Sequence, residues 1–135
     1  MGFDDKIKTA KLYIMDNPVL NTFSFEEAKR MEKNTVYKIV KDIDIQLIPI
    51  NFIFEEMKNF PSFLSIDVEG LDFEILNSLD TQKFRPGLIV AETLTFDPNT
   101  GGEKINKIIE LMLRKKYKVF ADTRLNTIFI DENRL

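Results

Sequence analysis

The run Phe63-Leu64-Ser65-Ile66-Asp67-Val68, followed by Glu69-Gly70 and then by Leu71, Ile75 and Leu79 at helical spacing, constrains the fold more than any other part of the chain. A short apolar run that stops at a glycine and passes into a 3.6-residue period reads as strand, turn, helix. Leu88-Ile89-Val90-Ala91 is a second run of strand length, set off by the loop Arg85-Pro86-Gly87. Ile105, Ile108, Ile109 and Met112 then predict a helix over residues 103–116. Strands that alternate with helices imply parallel neighbours joined by crossovers, which is an open α/β sheet. Residues 117–121 and 127–130 stand at hairpin spacing and add an antiparallel edge. The expected architecture is therefore mostly parallel with a C-terminal antiparallel hairpin.

Upstream, residues 11–15 predict a strand that Asp16-Asn17-Pro18 closes. Ser24 stands where an N-cap belongs and Glu27 follows three residues later, the spacing of a capping box, so a helix is expected over residues 25–33. Residues 36–40 and 43–50 read as two strands, with Pro49 restricting the second to an edge or a strand end. Residues 52–59 fit a short helix that Pro61 ends. No repeat, low-complexity tract or linker divides the chain, so residues 1–135 are expected to form a single domain.

Composition narrows the chemistry. At 135 residues the chain can bury one core, and 44% hydrophobic with 30% charged residues is the balance of an ordinary globular protein. The formal net charge of -3 offers no basic field for a nucleic-acid backbone. Cysteine and histidine are both absent, which removes disulfides, thiolate nucleophiles, the commonest general base and the commonest metal ligands. Met1-Gly2-Phe3-Asp4-Asp5-Lys6 lacks the pattern of a signal peptide, and the greasiest stretch, residues 47–54, is too short to span a bilayer. No membrane association and a cytoplasmic location are the expectations.

Catalysis in such a chain falls to carboxylates, hydroxyls, amides, Lys, Arg or backbone. Asp67 and Glu69 stand at the carboxyl end of one strand and Glu92 at the same end of the next, where open α/β sheets place their ligand crevice. Carboxylates there can accept hydrogen bonds from a ligand hydroxyl, bind a hard cation such as Mg²⁺, or remove a proton. The competing interpretation is that Asp67 and Glu69 serve the start of the following helix, where acidic residues meet the positive end of the helix dipole. Gly101-Gly102 belongs to no phosphate-binding pattern and reads as a plain loop. Arg114-Lys115-Lys116 with Lys118 reads as a solvated helix end. Most of the twelve phenylalanines read as core, and Phe23, Phe25 and Phe96, beside loops, as pocket walls.

The ordered set Phe63-Leu64-Ser65-Ile66-Asp67-Val68-Glu69-Gly70-Leu71-Asp72, Leu76, Arg85-Pro86 and Val90-Ala91-Glu92-Thr93 resembles the C-terminal half of FkbM-type methyltransferases. Leu20 to Ser24 upstream, and Tyr117, Asp122-Thr123 and Asn126 to Phe129 downstream, extend the similarity. The resemblance implies a partial Rossmann-like sheet, S-adenosylmethionine as cofactor and O-methylation of a small molecule or sugar. It places Asp67 and Glu69 in catalytic positions, with Glu92 and Thr93 beside the acceptor. The glycine-rich turn and the acidic residue that hold the cofactor in that fold are not found, so the cofactor-binding N-terminal half is expected to be absent. Self-association or a complementing chain is then expected to supply it. Three functions follow: an O-methyltransferase or part of one, a non-catalytic binding or assembly module derived from one, and, ranked last, a Mg²⁺-dependent enzyme built on Asp67, Glu69 and Glu92.

Overall fold

The structure is a computed structural model that describes residues 7–134. The leader pattern sought in residues 1–6 lies outside the described residues. Six strands and four helices follow in the order β1 (Lys8–Met15), α1 (Phe25–Asn34), β2 (Ile39–Leu47), α2 (Ile50–Glu56), β3 (Phe63–Ile66), α3 (Asp72–Ser78), β4 (Leu88–Glu92), α4 (Asn106–Arg114), β5 (Tyr117–Asp122) and β6 (Asn126–Asp131). Short 3-10 turns occupy Pro18–Leu20 and Glu132–Arg134.

β1 and β2 form an antiparallel ribbon, and β3, β4, β6 and β5 form a four-stranded sheet in that order. Within the sheet β3 and β4 are parallel, whereas β6 is antiparallel to both β4 and β5. This corrects the expectation of a mostly parallel sheet: one pair is parallel and two are antiparallel. The strand–helix–strand order of β4, α4 and β5 pointed to β4 and β5 as neighbours, but β6 lies between them. The reason is in the side chains. β6 alternates buried and half-buried residues along its whole length, as an interior strand must, whereas Lys118, Val119 and Phe120 of β5 are exposed and suit an edge.

One face of this sheet carries Ile66, Ile89, Ala91, Tyr117 and Phe129 into a core completed by Leu76 and Leu79 from the α3 region and by Ile108, Leu111 and Met112 of α4. On the opposite face Leu88, Val90, Ile128 and Ile130 are half-buried and Phe63 is exposed. A smaller core of Met15, Leu20, Ala28 and Met31 joins the ribbon to α1.

Several local expectations hold. Ser24 caps α1, its Oγ accepting from Glu27 N at 3.2 Å, but the box is only half made because Ser24 N donates to Thr22 Oγ1 instead. The terminal hairpin forms as expected. Residues 36–40 and 43–50 do not make two strands: β2 runs unbroken through Lys41-Asp42, which pair with Ile14 and Tyr13 of β1, and Lys11 of β1 bridges Asp42 and Asp44 at 3.2 Å each. Pro49 starts α2 rather than ending a strand. The helix expected over residues 103–116 begins only at Asn106, since Thr95 N bonds Glu103 O and Ile105 N bonds Thr93 O, closing the intervening loop as a narrow ribbon. Gly102 sits in that loop at φ 86, where an added Cβ would collide with Thr95 O, so the glycine pair serves the turn. Lys115, expected in water, is half-buried and caps the α3 end, donating to Leu79 O at 2.8 Å and Asn77 O at 3.3 Å.

Candidate functional site

Asp67 follows β3, Glu69 and Gly70 make the turn, Asp72 opens α3 and Glu92 ends β4, so short apolar strands deliver four carboxylates to one end of the sheet. All four line a cavity of about 330 Å³. Glu27 of α1 and the Leu20-Asn21-Thr22 segment form its second wall, and Leu94, Phe96, Ile105 and Leu125 its apolar side. Of the three phenylalanines expected at a pocket, Phe96 lines this one; Phe25 is instead exposed and packs on Tyr13.

The turn is held from outside. Phe23 N donates to Glu69 O at 2.9 Å and Thr22 Oγ1 to the same oxygen at 3.1 Å. Glu69 (φ 44) and Gly70 (φ 102) are both in the left-handed region, and an added Cβ at Gly70 would press on Thr22 Oγ1 at 3.3 Å. Glu69 is therefore fixed by its neighbours in a backbone geometry that side chains ordinarily avoid. No side chain caps the start of α3: Asp72 Oδ1 accepts from Val68 N, ahead of the helix, at 3.3 Å, and Asp67 and Glu69 line the cavity wall.

Crowding sets the electrostatics. Burial, then the charges of Asp67 and Asp72 and a hydrogen bond with Asp67, push the Glu92 carboxyl up to about 7. Glu69 is raised by burial and by Asp67, Asp72 and Glu27; Asp72 is raised by burial, against the backbone N–H groups it accepts from. Among the described residues no Lys or Arg lines the cavity. Arg30, the cation nearest Glu27, donates to Phe96 O at 2.7 Å and reaches Asp97 and Glu27 at 3.5 Å. Among the described residues no three acidic side chains are placed to hold a metal ion.

Three of the residues singled out in the sequence, Asp67, Glu69 and Glu92, thus meet in one cavity. Thr93 does not join them: it is 0% exposed, with Oγ1 2.6 Å from Thr127 Oγ1. Thr93→Val is expected to leave the Thr127 hydroxyl with no partner and to cost about 1–3 kcal/mol, read as a lower urea midpoint. Asp72 and Glu27 were not singled out as cavity residues. Asp72 had a signal, as the first polar residue of α3 after a strand-end carboxylate pair; Glu27 was obscured by its capping spacing.

A protein of mixed helices and a largely antiparallel sheet, with an acidic cavity at its strand ends, is the class that fold and site define. The family model of the methyltransferase FkbM domain matches residues 5–119, and the chain belongs to that family. No curated protein and no solved structure matches it. The extent of the family match corrects two expectations, that the chain corresponds to the C-terminal half alone and that the cofactor-binding part is missing from it. Both rested on the missing glycine-rich turn and the missing acidic residue after it. In this chain the left-handed turn beside the cavity is made by Glu69-Gly70 rather than by a glycine-rich fingerprint. Among the described residues no helix is long and apolar enough to cross a membrane.

Proposed function

We propose that this chain is an S-adenosylmethionine-dependent O-methyltransferase whose acceptor is a hydroxyl of a small molecule or sugar. The observation that carries this reading, given the family, is the cavity's charge: among the described residues it is lined by five carboxylates, Glu27, Asp67, Glu69, Asp72 and Glu92, and by no basic side chain. Such a lining suits a cationic sulfonium and ammonium together with ribose hydroxyls, and the apolar side of Leu94, Phe96, Ile105 and Leu125 suits a flat base. Glu27, Glu69 and Asp72 are the residues we assign to the cationic part. Bound there, the cofactor supplies an electrophilic methyl group.

The remaining work is that of the chain's own groups. Glu92, which titrates at about 7, hydrogen-bonds Asp67 in the free protein and is ionised beside the bound cation, leaving Asp67 to accept from the acceptor hydroxyl. Asp67 then takes up the hydroxyl proton as the oxygen becomes nucleophilic. Thr93 acts at one remove, fixing the end of β4 through Thr127.

The test is a calorimetric titration of the purified chain with S-adenosylmethionine and with S-adenosylhomocysteine. A cation beside Glu92 favours its ionised form, so binding releases a proton, and affinity is expected to rise as pH increases through about 7. Micromolar binding, tighter at pH 8 than at pH 6, is the expected result. No heat at millimolar ligand, in protein that melts cooperatively, overturns the enzyme reading and leaves a non-catalytic module.

A further inference from the structure

On the far side of the Glu69-Gly70 turn lies a second cavity, of about 220 Å³. Its apolar walls are Ala10 and Leu47 from the ribbon, Pro49 and Ile50 from the entry to α2, and Leu71 and Ile75 from the α3 region. Among the described residues it shares none with the acidic cavity, although Leu71 lies between Gly70 and Asp72, which line the other one.

Glu74 also lines this groove, and its Oε2 is buried without a hydrogen-bond partner among the described residues. A carboxylate oxygen in that state is a costly exception, since nearly all buried polar atoms find a partner. The dipole of α3, which Glu74 meets in the first turn, supplies only a diffuse attraction. Lys8 lines the same groove, and among the described residues no donor reaches Oε2. What would satisfy the oxygen is a charge-assisted N–H. What would fill the rest is hydrocarbon, and the space corresponds to roughly seven water-sized groups at about 30 Å³ each.

We propose that this groove is a second ligand site, independent of the methyltransferase reading, for an alkylammonium. Its apolar body lies against Leu47, Ile50, Leu71 and Ile75, and its N–H donates to Glu74 Oε2. A carboxylate-headed or bare hydrocarbon of the same length leaves the buried oxygen repelled or unpaired, so the head group decides affinity.

The experiment is a heteronuclear NMR titration of the full chain with n-hexylammonium, 1-hexanol and hexanoate. Hexylammonium is expected to saturate below millimolar concentration, with the largest shifts at Leu47, Leu71 and Ile75, and hexanoate to bind at least about tenfold more weakly. Glu74→Gln is expected to bring hexylammonium down to the affinity of hexanol. Ile75→Trp, which fills the groove, is expected to block both and serves as the test should the Gln variant fold poorly. Because the acidic cavity also attracts cations, the titration is repeated on Asp67→Asn/Glu92→Gln, where binding is expected to persist. Equal affinity for hexanoate, no saturation by millimolar hexylammonium, or shifts confined to Asp67, Glu69 and Glu92 overturns the site.

Discussion

Asp67→Asn is expected to lower methyl transfer by at least about 100-fold, the range over which a positioned base acts, while the protein remains folded. The amide keeps the shape of the carboxylate but cannot take up the acceptor proton. It also removes one of the charges that raise Glu92, so Glu92 titrates lower in the variant and the pH dependence of cofactor binding moves toward acid. Stability responds in the opposite sense to activity. A carboxyl whose folded pKa is raised contributes stability that is present below its unfolded value near 4.5 and lost as pH rises through about 7. The wild-type chain is therefore expected to melt lower at pH 8 than at pH 5, and Asp67→Asn to recover part of that loss, of order 1 kcal/mol. Turnover with an identified acceptor and melting curves at both pH values check the two halves. Unchanged turnover removes Asp67 from the mechanism, and a variant less stable at pH 8 contradicts the crowding that defines the cavity.

Local order was legible where one signal dominated. The Ser24 cap, the Phe63 run and its glycine, the amphipathic stretch ending α4 and the terminal hairpin all follow from short-range chemistry. Strand order was not, because the position of β6 depends on which of two hairpin strands can bear an edge, and that is decided by Lys118, Val119 and Phe120 together with the alternation of residues 126–131. β2 was misread for a related reason. Lys41-Asp42 looks like an interruption until β1, some thirty residues earlier, pairs across it, Ile14 with Lys41 and Tyr13 with Asp42, with Lys11 set against Asp42 and Asp44.

The cavity was legible as three carboxylates at strand ends, and the rest of its wall was not. Glu27 and the Leu20-Asn21-Thr22 segment reach it through two backbone-directed bonds onto Glu69 O, contacts that span more than forty residues and leave no periodic trace. Thr93 shows the reverse case: next to Glu92 in the chain, it points to the other side of the sheet because successive strand residues alternate. Proximity in sequence carried Thr93 toward the acceptor, and the two-residue period carries it into the core.

Arg85→Ala is expected to cost about 3–5 kcal/mol, a large part of what a domain of this size has. Arg85-Pro86, quoted for its resemblance, turns out to be where the loop, α4 and the hairpin are tied together. Its guanidinium donates from Nε to Asp131 Oδ1 at 2.9 Å, to Lys115 O at 3.0 Å and to Lys116 O at 2.8 Å, and lies 4.5 Å from the centre of the Tyr117 ring. Tyr117 Oη in turn donates to Pro86 O at 2.6 Å, and burial pushes its phenol up to about 12. The Asp131 side chain is 7% exposed, so alanine at position 85 strands a buried carboxylate and the two carbonyls that end α4. Burial alone would raise Asp131, but Arg85 and the N–H of Asn133 hold it below the ordinary value. That contribution is present above pH 3.8 and lost as pH falls through the lowered value, so the variant is expected to lose the wild type's steep acid transition as well as its urea midpoint. Asp131→Asn in the Arg85→Ala background relieves the unpaired charge and is expected to restore part of the loss. A cost below about 1 kcal/mol would show that water reaches Asp131 and that the tie is a surface pair.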